Sequence, residues 1–111
     1  MASSLEKQII ARALEIISTQ QHWTRETWAR TANHQPCPWA DSTAVKFCAV
    51  GALNRAAMEV VKGWGCSRAI EAEELVMVAN DRVGEGLPKI NDDEGHEVVV
   101  AMFRTAGAEK F

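Results

Sequence analysis

Residues Ser42–Lys62, STAVKFCAVGALNRAAMEVVK, decide how this chain folds. On a helical wheel the apolar residues fall into two stripes. One is Val45, Ala49, Ala52, Leu53, Ala56 and Val60; the other is Phe47, Val50, Ala57 and Val61. Only a narrow strip with Cys48, Arg55, Glu59 and Lys62 is left for water. A helix that is apolar over most of its circumference is enclosed by its neighbours. The pattern therefore predicts a central buried helix over about 42–62, capped by Asp41 and closed by Gly63. Gly51 and the run of Ala residues let neighbouring backbones come close. The fold expected is all-α, a compact bundle of about five helices around this central one, in a single domain of residues 1–111.

Working outward, Ser4 to Gln20 reads as a first helix. Ser3 and Glu6 match a capping box, and Leu5, Ile9, Ile10, Ala13, Ile16 and Ile17 share one broad face. A helix from about Arg68 to Val83 follows the central one, with Ser67 as its cap and Ala69, Ala72, Leu75, Val76, Ala79 and Val83 on its main face. Ile70 and Met77, seven residues apart, form a second patch on its far side, a candidate surface for self-association. Gly84, Gly86 and Pro88 are expected to end that helix. The last helix is expected from about Asp93 to Ala106, with Val98, Val99, Met102, Phe103 and Ala106 facing the core, and with caps supplied by Asn91 to Asp93.

The stretch His22–Trp39, HWTRETWARTANHQPCPW, carries three of the four Trp, two of the three His and two of the three Pro. A short helix over Arg25–Thr31 is expected, with Thr24 as N-cap and Trp23 stapled to Trp28 across it. Two roles stay open for this segment. Either its aromatics close the core, or Trp28, Arg30 and Trp39 anchor a recognition surface, being of the types enriched at interface hot spots.

The apolar fraction of 47% and charged fraction of 24% belong to a globular chain. The longest apolar runs, Cys48–Leu53 and Val98–Phe103, are too short to span a bilayer. The N-terminus lacks a signal-peptide pattern, so a cytoplasmic protein is expected, without membrane contact. Three cysteines with no CxxC spacing fit reduced thiols better than a disulfide framework. Net charge is −3 and uneven: seven basic and five acidic residues in 1–66, five and ten in 67–111. A chain of this charge with no basic run is a poor partner for nucleic acid backbone, but its acidic half could meet a basic protein surface.

Asn91, Asp92 and His96 are the best polar constellation. On one helix Asp92 and His96 would share a face, able to orient a general base or bind metal, or simply to cap the helix. The spacings of His22, His34, Cys37 and Cys66 match no zinc motif, and no phosphate-binding loop or nucleophile elbow occurs. No metal and no cofactor is expected.

Three groups of residues carry a resemblance. Trp28-Ala29-Arg30, then Phe47-Cys48-Ala49-Val50-Gly51-Ala52-Leu53, then Ile90-Asn91-Asp92 followed by His96-Glu97-Val98, resemble a group of small bacterial and phage helical proteins classed as a domain of unknown function. That group has a WCAxGAL-like central helix and a WND-like entry to the last helix. The similarity covers about Leu5 to Ala106. Phe47 and Ile90 stand where the pattern has Trp, and the glycine usual after the Ala-Arg pair is not found near Thr31–His34. The resemblance implies five helices, a cytosolic setting and a mobile-element origin, and it brings no activity with it. The function expected is a non-enzymatic protein-binding or inhibitor-like role, with homo-oligomerisation open. The alternative is a small-ligand binder or enzyme with a pocket near Asn91, Asp92 and His96.

Overall fold

The computed structural model describes residues 4–62 and 66–108. Ser3, Gly63 and Trp64, and the side chain of Cys66, lie outside the described residues. The chain runs α1 (Ser4–Ile17), a 3₁₀ turn (Gln20–His22), β1 (Ala29–Thr31), β2 (Pro36–Cys37), β3 (Ala44–Phe47), α2 (Ala49–Val61), α3 (Cys66–Ala79), α4 (Leu87–Glu94) and α5 (His96–Ala108). It is predominantly helical, with five α-helices. A small antiparallel sheet of order β2-β1-β3 corrects the all-α expectation.

The helical core follows the periodicity of the sequence. Ile9, Ile10, Ala13 and Ile17 of α1, Leu53, Ala56 and Ala57 of α2, Ala72 and Val76 of α3, and Val99, Phe103 and Ala106 of α5 are all fully buried. Each of the large aliphatic and aromatic side chains among them contributes about 1.5–3 kcal/mol by leaving water. Helix α2 packs against α1, α3 and α4, and α1 in turn also meets α3 and α5. The open flank of α2 is confined to the C-terminal turn, where Val61 is exposed.

The expected helix over 42–62 loses its first third. Asp41 does not cap a helix; its Oδ1 accepts from the Thr43 amide and hydroxyl at 2.8 and 2.6 Å, making a tight turn that leads into β3. The helix begins only at Ala49, behind Cys48 in extended conformation, and ends at Lys62 with φ 61°. The helix expected over Arg25–Thr31 is absent, and with it the Trp23–Trp28 staple. Its backbone bonds go sideways instead: Thr24 N–H donates to Phe47 O and Cys48 N–H to Trp28 O, and Ala29 and Arg30 pair with Phe47 and Lys46. Tertiary pairing outweighs the weak helical preference of a seven-residue stretch.

Two further boundaries move. Helix α3 stops at Ala79 rather than Val83, where Asp81 turns left-handed and Arg82 N–H returns to Met77 O. Gly86 and Pro88 start a helix rather than end one, since Pro fits the first turn, where its missing N–H costs nothing. The stretch expected to enter the last helix forms most of α4. Gly95, at φ 95°, separates α4 from α5. Arg82 fastens this corner, donating to Glu94 and to Glu85, and holds both carboxyls below their usual range through those bonds.

Gly51 sits where the sheet crosses the start of α2. A Cβ at this position would lie 2.1 Å from the Trp28 carbonyl oxygen. Helix propensity alone favours Gly51→Ala by about 1 kcal/mol. The clash with backbone is expected to reverse that sign, leaving a net loss of roughly 2 kcal/mol or more in a denaturant titration. A stabilised Gly51→Ala protein would disprove this close crossing.

Candidate functional site

The first turn of α2 needs acceptors for its free amides, and each comes from a different part of the chain. Cys48 N–H donates to Trp28 O at 3.1 Å, Ala49 N–H to Asn91 Oδ1 at 2.9 Å, and Gly51 N–H to Cys48 Sγ at 3.2 Å. Burial pushes the Cys48 thiol up, and the Asp92 carboxylate adds to this, against the opposing pull of the Gly51 and Val50 amides. Cys48 is therefore a neutral thiol that caps a helix.

Asn91 is the centre of the arrangement. It is 0% exposed, and its amide makes every bond available to it. Oδ1 accepts from Trp23 Nε1 at 2.7 Å and from Ala49 N–H. Nδ2 donates to Thr24 O and to Asp92 Oδ1, each at 3.1 Å. Asn91 does not cap the last helix, as its sequence position suggested. It lies inside α4 and ties that helix to α2 and to the segment before the sheet. Asp92 Oδ1 also accepts the Glu26 amide at 2.9 Å, in a turn where Glu26 has φ 69°.

His96 does not join Asp92. Gly95 breaks the helix between them, and His96 Nε2 lies 2.6 Å from Ile17 O, with its ring 5.7 Å from that of Trp23. The shared helical face expected of Asp92 and His96 is corrected accordingly. The far-side patch on α3 is also divided. Ile70 is 66% exposed but Met77 only 6%, because Met77 packs into the core and Val78 takes the outer position.

Between the segment before β1, the start of α2 and α4 lies a cavity of about 310 Å³, lined by Glu26, Thr27, Trp28, Cys48, Val50, Pro88, Asn91 and Asp92. Trp28, 52% exposed, is its indole wall. Trp28 also lines a second, open groove, together with Thr27, Pro36, Cys37, Pro38 and Trp39. Trp28 and Trp39 thus share one surface, though Trp39 is partly packed on the core. Arg30 lines neither hollow: its Nε donates to Thr24 Oγ1 at 2.9 Å and its Nη1 to His34 O at 3.1 Å. Of the residues singled out from sequence, Trp28, Asn91 and Asp92 come together at the cavity. Glu26, Cys48 and Pro88 join them unforeseen. The left-handed turn at Glu26, which brings that residue to the cavity, has no glycine or asparagine to announce it.

Among the described residues no group of three His, Cys, Asp or Glu stands where it could hold a metal ion. No helix among the described residues is long and apolar enough to cross a membrane. Replacing Asn91 by Ala leaves the Trp23 indole N–H, the Ala49 amide and the Thr24 carbonyl buried without partners. The expected loss is roughly 3–5 kcal/mol by denaturant titration. Asn91→Asp keeps the acceptors but places a carboxylate beside Asp92, so its folded-state pKa is raised. Its stability is expected to recover as the pH falls, when the neutral acid again supplies a donor. Wild-type stability in Asn91→Ala, or an Asn91→Asp protein that weakens on acidification more than wild type, would refute the assignment.

Neither the curated proteins nor the solved structures contain a match to this sequence. A family model described as a family of unknown function, DUF6197, matches residues 1–109. The match covers nearly the whole sequence, and the chain belongs to that family.

Proposed function

We propose that this chain is a non-enzymatic binding protein that docks another protein by seating one of its basic side chains in the cavity beside Trp28. The observation that carries this reading is the composition of the wall. It holds two acidic residues, Glu26 and Asp92, one half-exposed indole, and no Lys or Arg. Such a wall favours a cation with an apolar stem. The Cys48, Ala49 and Gly51 amides at the start of α2 are already occupied, by Trp28 O, Asn91 Oδ1 and Cys48 Sγ. The groove with Pro36, Pro38 and Trp39, which the same indole lines, extends the apolar contact.

Arg and Lys side chains suit the site because each ends a flexible apolar stem in a charge. The small size and acidity of the chain support a narrower form of the proposal: a phage- or mobile-element product acting on host machinery such as a defence complex. A second reading has one observation in its favour. A concave site of about 310 Å³ is at the lower end of the range used by small ligands, and a free organic amine would meet the same wall.

Calorimetric titration with acetylated, amidated tripeptides carrying Arg, Lys or neutral citrulline at the centre separates these ideas. The basic peptides are expected to bind and the citrulline peptide not. Asp92→Asn can keep the two bonds accepted by Oδ1 while removing the charge, and is expected to weaken binding about tenfold, or 1.4 kcal/mol. Trp28→Ala is expected to weaken it similarly. Equal affinity for citrulline and arginine would end the proposal; butylamine binding as tightly as the peptides would favour the small-ligand reading.

A further inference from the structure

A second cluster stands apart from the cavity, on the sheet. The register of β1 and β3 puts Arg30 directly opposite Lys46. Like charges facing each other across two strands are destabilising, and nothing in the described structure neutralises them. Arg12, Arg55, Arg68 and Arg82 each hold a carboxylate within 4 Å. Arg30 and Lys46 form no ion pair among the described residues, in a chain whose net charge is −3.

The turn between β1 and β2 brings a third group to this pair. His34 N–H donates to Thr31 O, Thr31 N–H to Gln35 O, and His34 takes φ 66°. Its carbonyl receives Arg30 Nη1, and its ring Nδ1 lies 3.2 Å from Lys46 Nζ. An ammonium can only donate, so Nδ1 accepts and the ring proton sits on Nε2. Desolvation, then the Arg30 and Lys46 charges, hold this imidazole below its usual pKa. Among the described residues, Arg30 Nη2, the remaining Lys46 ammonium protons and His34 Nε2–H have no acceptor.

We infer that Arg30, His34 and Lys46 form a binding site for a phosphate dianion, free or as a monoester. The ligand would supply the missing negative charge between Arg30 and Lys46, and its several oxygens match the several unoccupied donors. The inference does not depend on the Trp28 cavity. A discrete dianion also fits this acidic chain better than a polyphosphate backbone, which needs a run of basic residues.

The test is NMR observation of the His34 ring and the Arg30 Nε–H during titration with inorganic phosphate, at constant ionic strength balanced by chloride. Phosphoserine and a short DNA duplex form parallel arms. Binding in the millimolar range is expected, with an upward shift of the His34 titration midpoint as the dianion offsets its two cationic neighbours. Lys46→Gln is expected to weaken binding at least about tenfold, Lys46→Arg to restore most of it, and Lys89→Gln to change nothing. Response to both phosphate and phosphoserine supports a site for the dianion itself. Response to phosphoserine alone supports one for the monoester. No movement of His34, an equal response to chloride, a response to DNA alone, or unchanged affinity in folded Lys46→Gln would each overturn the inference.

Discussion

One side-chain amide holds the architecture together. Asn91 is fully buried and makes four hydrogen bonds, which join α4, the first turn of α2, the Trp23 indole and the Thr24 carbonyl. A buried amide is costly unless every donor and acceptor is satisfied, and is strongly specifying when they are. Here the four partners come from three separate stretches of the chain. Moving any of them relative to α4 breaks at least one bond. The small sheet then has a fixed place: it enters beside Trp23, crosses over Gly51 by way of the Trp28 carbonyl, and leaves Trp28 itself facing outward.

The function proposed follows from what this fastening leaves on the surface. Asn91 and the Cys48, Ala49 and Gly51 amides are occupied internally, and the cavity wall presents two acidic residues and an indole. Cys48, which sits at a helix start where a reactive thiolate could form, is kept neutral by burial and by Asp92. His96 is turned toward Ile17 and Trp23. The polar groups here are arranged to hold a shape, and the shape displays Trp28. The site proposed at Arg30, His34 and Lys46 is of the opposite sign, so the two proposals concern chemically distinct places within one short segment.

Much of the helical frame is legible in the sequence, because α1, α3, α5 and the greater part of α2 carry a 3.6-residue apolar period over three or more turns. The sheet is not. Strand β1 has three residues and β2 two, too few for alternation to register, and β3 reads buried, exposed, half-buried, buried. Ala44 to Phe47 happens to continue the helical stripes of α2, so the wheel extends that helix past its true start. The physical stop is a cysteine cap, which offers a weaker acceptor than the Asp that precedes it in sequence. At the site, Asn91 and Asp92 stand out as polar residues near a helix start, but capping explains them equally well from sequence. Only the long-range partners Trp23, Thr24 and Ala49 distinguish a buried tie from a cap.

Native-state hydrogen exchange at the Trp23 indole N–H and the Ala49 amide tests the central claim most directly. If Asn91 is the common acceptor that locks these elements, both protons exchange only through global unfolding, with an opening free energy equal to that from denaturant titration. Exchange of either proton by a local fluctuation, while the core amides of α1 and α5 stay protected, would contradict it.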